Sequence, residues 1–296
     1  MNANALLLGV DGGGTRSRAR LCASSGSKLG EATAGPANIR FGLEQSFTAV
    51  LEAATQCLGQ AGLSSGDLRR IVACLALAGA SEPAELSAAQ KRKHPFGKAI
   101  VTTDAHAACV GAHRGQDGGV VVVGTGSVGW AQVKGRHYRV GGWGLPISDE
   151  GSGAWLGCEA LRRVLWAHDG RIAWTGLLTA LFDRFESNPH VVVREMSAAA
   201  PRRFAALAPL IIEHASRQDP VGAELLRLAA GHLDALAQRL VALGAERLAL
   251  VGGLAPHLEP LLAPATRRHV VAPAGDALQG ALQLARAAAD SLTAVE

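Results

Sequence analysis

The residues able to do chemistry fall in five short stretches. In the first, VDGGGTRS, Asp11 stands ahead of Gly13, Gly14 and Thr15, directly after the apolar run ALLLGV. The second, VGTGSVG, repeats that grammar with Gly124, Thr125, Gly126 and Ser127 after a run of valines. A glycine turn between strands brings bare backbone N–H groups to its tip, and opposed N–H groups are natural ligands for phosphate oxygens. Asp11 is then placed to hold Mg²⁺ through water, because this ion takes oxygen ligands and keeps several waters. Either turn alone reads as an ordinary glycine hairpin. Two of them, each opening one half of the chain, favour phosphate. Neither is GxxxxGK[ST], and GxGxxG requires a helix where Arg18 to Cys22 reads as strand.

The third stretch, TTDAHAA, delivers Asp104 at the carboxyl end of a short strand. There a carboxylate can take the proton of a hydroxyl attacking a phosphoryl group; it can equally be a plain helix cap. The fourth, GGWGLPISDEGSGAWLG, spans Gly141 to Gly157. Sugars are held by stacking on an aromatic face and by carboxylate hydrogen bonds to neighbouring hydroxyls, which Trp143 and Asp149 supply. Glu150 contributes or simply favours the following helix N-terminus, and the other reading is a capping loop with a core Trp. The fifth, LALVGGLAPHL, places Gly252 and Gly253 where an adenine could lie against backbone; a simple turn fits as well.

Apolar spacing supplies the elements that must position these residues. Residues 5–10 and Arg18 to Cys22 read as strands. Leu43, Phe47, Val50, Leu51, Ala54 and Leu58 recur at helical spacing, and Ala61-Gly62 ends that helix. Strands follow at Arg70 to Leu77 and Ala99 to Thr103, then a helix from Ala105 to Ala112 capped by Asp104. From Gly118 the strand–turn–strand grammar restarts. Helices are expected over Ser152 to Trp166, Pro201 to Ala215, Val221 to Leu243 and Asp276 to Ala288, with strands at Arg247 to Val251 and His269 to Val271. Phe185 to Ala200 carries no clear signal and reads as a loop or lid. The class is α/β. The expected halves are 1–115 and 116–280, a weak internal duplication whose turns face one cleft, with a helix at about 281–296 returning to the first.

The 296 residues, 48% hydrophobic and 18% charged, suffice for sizeable cores. The formal charge of +4 is spread out, and the short run Lys91-Arg92-Lys93-His94 lacks interleaved aromatics, so no nucleic-acid partner is expected. With no leader and no apolar run near the roughly 20 residues needed to cross a bilayer, the expectation is a soluble cytoplasmic protein without membrane partners. Five scattered cysteines form no CxxC, and the histidines form no HExxH, so neither a disulfide framework nor a zinc site is expected.

In this order the five stretches resemble the sugar-kinase branch of the fold shared by actin and hexokinase. The nearest resemblance is to the N-acetylglucosamine kinase family, grouped with the BadF/BadG/BcrA/BcrD-type ATPases, from Gly9 to about Gly280. It implies two actin-like ATPase (ribonuclease H-like) domains flanking a nucleotide and sugar cleft that closes on its substrates. It also implies a homodimer and ATP-dependent phosphorylation of an amino sugar, glucosamine or N-acetylglucosamine, at the 6-hydroxyl. By match of motif, Asp104 is the base. Asn38, Ser127, Val128, Gly142, Trp143, Gly144 and Asp149 contact the sugar. Thr15, Thr125 and Gly252 contact ATP, and Asp11 lies near Mg²⁺. The segment Gly144-Leu145-Pro146-Ile147-Ser148 departs from many relatives and looks more like glucosamine-specific kinases, which leaves acetylated against free amine open. Two other readings are an ATPase activating a 2-hydroxyacyl-CoA dehydratase through an iron–sulfur cluster, and a sugar-sensing module without turnover. The first needs cysteines in exposed loops, whereas these five fall in expected strands and helices. The second is opposed by Asp104 and both phosphate turns.

Overall fold

The computed structural model describes residues 5–80 and 82–293. It forms two compact units, one running to Gly118 and resuming at Ala272, the other spanning Gly119–Val271.

The first unit opens with β1 (Leu6–Gly12), β2 (Ser17–Ala23) and β3 (Lys28–Ala34), each antiparallel to the next. α1 (Leu43–Gln60) leads to β4 (Ile71–Leu77), and α2 (Pro83–Lys91) to β5 (Lys98–Thr103) and α3 (Asp104–His113). The sheet order is β3-β2-β1-β4-β5, with β4 parallel to both β1 and β5. β4, IVACLAL, is buried at every position, as a central strand covered on both faces must be. Alternation along β1 sends Leu6, Leu8 and Val10 to the α1 side, where Phe47, Val50 and Leu58 pack.

In the second unit β6 (Gly118–Val123), β7 (Ser127–Val133) and β8 (Arg136–Gly141) precede the helices. These are α4 (Gly153–His168), α5 (Gly176–Asp183), α6 (Pro189–Met196), α7 (Pro201–Ala205), α8 (Ala208–Ser216) and α9 (Pro220–Ala242). β9 (Leu248–Val251) follows, then the short α10 (Ala255–Leu258) and α11 (Pro264–Arg267). The order β8-β7-β6-β9 repeats that of the first four strands of the other unit, which makes the duplication explicit. The last helix, α12 (Ala277–Thr293), belongs to the first unit, where Ala281 and Ala285 pack on Cys74 and Ala76 of β4 and Ala107 of α3. Residues 294–296, the tail of the helix read from sequence, lie outside the described residues.

Several sequence expectations are corrected. Phe185 to Ala200 is no lid. It contains α6, capped by the Asn188 side chain accepting from the His190 amide, with Val191, Val192 and Met196 in the core. The expected helix from Pro201 to Ala215 is two, broken at Ala206-Leu207, just before Pro209 takes an amide out of the ladder. The strand at His269 to Val271 is reduced to one bridge, Leu248 to Val270. β3 and β8 had no reading; β8 is exposed or half-buried throughout and shows no apolar run.

Candidate functional site

In the first unit, strand register gathers the predicted residues. Gly12 pairs with Leu77 and Leu77 with Thr103, so the ends of β1, β4 and β5 form one row across the sheet. At neighbouring-strand spacings of about 4.8 Å, Gly12 and Thr103 lie about 10 Å apart. From that row project the hairpin Gly13–Arg16, the segment Ala78–Gly79 and Asp104. Asn38 joins the same edge, bridging to Ala78, with its side-chain oxygen accepting from the Arg40 amide at 3.1 Å. Gly13 closes the turn by donating to the Arg16 carbonyl at 3.0 Å, while the amides of Gly14 and Thr15 make no hydrogen bond among the described residues. Those two N–H groups are what a phosphate oxygen requires.

Asp104 is not the cap. Thr103 caps α3, its hydroxyl accepting from the His106 amide at 3.0 Å, and Asp104 is the first helical residue. Its Oδ1 accepts from the Ala105 amide at 2.9 Å, which fixes a half-buried carboxylate at the helix N-terminus. His106 turns instead to the Thr102 hydroxyl, 2.7 Å from its Nδ1.

Asp11 faces Arg18 directly across the β1–β2 pair, and its Oδ2 accepts from Arg18 Nη2 at 2.8 Å. The same guanidinium reaches Asp276 Oδ2 at 2.9 Å, just before α12. Burial would lift the Asp276 carboxyl, but the Gln279 amide and Arg18 hold it below the usual carboxylate range. Asp11 Oδ1 stays clear of these bonds. No group of three His, Cys, Asp or Glu side chains gathers anywhere among the described residues. One carboxylate oxygen fits an ion that takes its other ligands from water and nucleotide phosphate.

In the second unit the turn Gly124–Gly126 rests on the start of α4. Gly124 and Thr125 carbonyls accept from the Gly153 and Ala154 amides at 2.8 and 3.1 Å. With those carbonyls engaged, the Thr125 and Gly126 amides donate to no described residue, matching the free pair on the first hairpin. Gly252 sits beside this turn at φ 108°, and a Cβ there would fall 2.2 Å from the Val123 carbonyl oxygen. Gly253 next to it has open space around its Cα. Within this unit, two unspent amides beside open glycine backbone suit phosphate oxygens and a flat group next to them.

The loop after β8 is tied to the same turn by Asp149. Its Oδ1 accepts from the Gly144 amide at 2.9 Å, and a Cβ on Gly126 would come within 2.4 Å of its Oδ2. Asp149 holds a left-handed φ of 66°, a conformation Asp tolerates better than most residues. Ser127 is buried and donates its hydroxyl to the Glu150 carbonyl at 2.8 Å. Val128 lies against Gly142. Trp143 is 62% exposed rather than a core residue, with the Arg139 guanidinium 4.1 Å above one ring face. Arg139 also donates from Nε to the Gly141 carbonyl at 3.0 Å and from Nη2 to the Gly142 carbonyl. Sequence reasoning missed Arg139, since its strand was not read and its partners are backbone atoms.

The chain is similar to several known proteins. The model of the BadF/BadG/BcrA/BcrD ATPase family matches residues 8–285. Glucosamine kinase of Vibrio cholerae is 38% identical over 94% of this chain and 95% of its own. A solved structure from Chromobacterium violaceum, provisionally named N-acetylglucosamine kinase, superposes with a TM-score of 0.90 at 37% identity, covering 96% of this chain and 99% of that one. Component A of the Acidaminococcus fermentans (R)-2-hydroxyglutaryl-CoA dehydratase shares the fold, with a TM-score of 0.53 and 15% identity over 98% and 99% of the two chains.

Proposed function

The chain belongs to the BadF/BadG/BcrA/BcrD ATPase family, and we propose that it is an ATP-dependent kinase of glucosamine or N-acetylglucosamine, acting at the 6-hydroxyl. The observation that carries the phosphotransfer reading is the shared sheet edge, where the free amides of Gly14 and Thr15 and the carboxylate of Asp104 project from one row. An amino sugar is supported by the glucosamine kinase relative and by the aromatic and carboxylate pair Trp143 and Asp149.

In this reading the amides of Gly14, Thr15, Thr125 and Gly126 hold the ATP phosphates, and Gly13 and Gly124 close the two turns. Gly252 and Gly253 take the adenosine. Asp11 would hold Mg²⁺ through water, and the ion would supply charge neutralisation at the transferred group. Asp104 accepts the proton of the sugar hydroxyl as that oxygen bonds to the γ-phosphorus and the bond to the β–γ bridging oxygen breaks, releasing ADP. Asn38, Ser127, Val128, Gly142, Gly144 and Asp149 line the sugar, with Ser127 and Val128 acting chiefly by shaping the loop. The cysteines all lie inside strands or helices, four of them buried, which does not suit a cluster shared through exposed loops. No helix among the described residues is long and apolar enough to cross a membrane. We take the working form to be a cytoplasmic homodimer.

The test is a coupled ADP-release assay over glucosamine, N-acetylglucosamine, N-acetylmannosamine and glucose. The expected result is sugar-dependent ADP release with one of the first two preferred. Release no greater than the sugar-free blank would remove the kinase reading.

A further inference from the structure

Outside the proposed site, the first unit carries a half-open cavity of about 260 Å³ between β2 and α12. Its floor is apolar, formed by the directly paired Leu7 and Cys22. Its wall carries Gln283, and around it stand three cations, Arg20, Lys28 and Arg286. One carboxylate meets them. Glu31 accepts from Arg20 Nε at 2.9 Å and lies 3.6 Å from Lys28 Nζ. Arg286 makes no ion pair among the described residues, and the cavity is left with two uncompensated positive charges.

Cations brought together without matching acids repel one another, and a doubly charged anion relieves that cost. The volume lies just below the usual range of about 300–1,000 Å³ for small-molecule sites, so the group it takes is small. We propose that this cavity binds a phosphomonoester, with Arg20, Lys28 and Arg286 on the phosphate and Gln283 beside the rest of the molecule. Its occupancy bears on the first unit's phosphate hairpin through two continuous elements. Arg20 shares a face of β2 with Arg18, which holds Asp11, and α12 begins beside Asp276, the second partner of Arg18. The site therefore suits a regulator. That the regulator is a sugar 6-phosphate made by this chain rests on the kinase reading; the binding itself does not.

The test is calorimetric titration of the full chain with inorganic phosphate and, separately, with glucosamine 6-phosphate, both in the presence of saturating ADP to fill the hairpins. Saturable binding is expected, weakened about tenfold or more in Arg286→Gln and kept in Arg286→Lys. Amide NMR shifts of the wild-type protein should move at Gly26 and Lys28, which makes the result independent of any variant's folding. Tighter binding of the sugar phosphate, lost in Arg286→Gln, supports the phosphomonoester, and binding equal to that of inorganic phosphate or unaffected by Arg286→Gln counts against it. Titrations superimposable between wild type and Arg286→Gln, or shifts confined to Gly14 and Thr15, would overturn the proposal. None of these readouts requires turnover, so an inactive kinase and an empty cavity are told apart.

Discussion

At the scale of single residues, the site is built less from reactive side chains than from what holds them. Asp149 illustrates this. The sequence offers it as a carboxylate for sugar hydroxyls, and in the structure the same group fastens the Gly144 amide and fills the space that Gly126 leaves without a Cβ. Gly126→Ala must therefore push the Asp149 carboxylate aside. The expected outcome is a loss of about 1–3 kcal/mol in stability by thermal unfolding and a raised KM for sugar, with a smaller effect on KM for ATP. An unchanged melting temperature and sugar KM would show that the contact yields freely. Asp11, Asp104, Trp143 and Asp149 could be picked out as candidates because each stands in a glycine-rich or strand-end context that few structural roles demand. Arg139 and Arg18 were not. One acts on carbonyls of left-handed glycines and the other across a strand pair, and neither relation leaves a spacing in the sequence.

At the scale of elements, central strands and long helices could be read, because a strand covered on both faces is continuously apolar and an amphipathic helix repeats every three to four residues. The two antiparallel edge strands escaped, whereas the parallel edges β5 and β9 were read. β3 and β8 are half-buried and polar, and their pairing partners, not their composition, make them strands. Helix ends depend on single caps that compete with neighbouring candidates, which is why Thr103 rather than Asp104 caps α3. The strongest cap in the second unit is Asp219 at the start of α9. It accepts from the amides of Val221 and Gly222 at 3.0 and 3.1 Å, and also from the Leu177 amide at 2.9 Å and the Thr175 hydroxyl. Burial alone would raise its pKa, but these donors hold the carboxyl below the ordinary range. A depressed folded pKa means stability that is present above the unfolded value of about 3.9 and lost as pH falls through the folded one. Asp219→Asn should therefore flatten the acid limb of the stability curve below about pH 4, and Asp219→Ala should cost about 2–3 kcal/mol at neutral pH by urea unfolding. A parallel acid limb in wild type and Asp219→Asn would show that the capping charge does not matter.

At the scale of the whole molecule, the duplication inferred from two glycine turns reappears as two sheets with the same order of their first four strands. The sequence suggested that the last helix returns to the first unit, but not that the division falls after Val271, because no composition shift marks that point. The connectivity has a measurable consequence. Residues 119–271 are contiguous and carry their own core, whereas the first unit needs α12 to cover the face of β4 on which Ala281 and Ala285 pack. The fragment 119–271 should melt cooperatively by circular dichroism, and 1–118 alone should not. A cooperative melt of 1–118 would show that α12 is dispensable. Beyond stability, the account makes one chemical claim about the whole chain, that a carboxylate at the start of α3 draws the proton from a sugar hydroxyl. The measurement that tests it most directly is steady-state kinetics of Asp104→Asn with calorimetric binding of sugar and nucleotide. The account predicts both ligands bound within a few-fold of wild type and kcat lowered by about 10²–10⁴. Near wild-type kcat in a variant that binds both would contradict it.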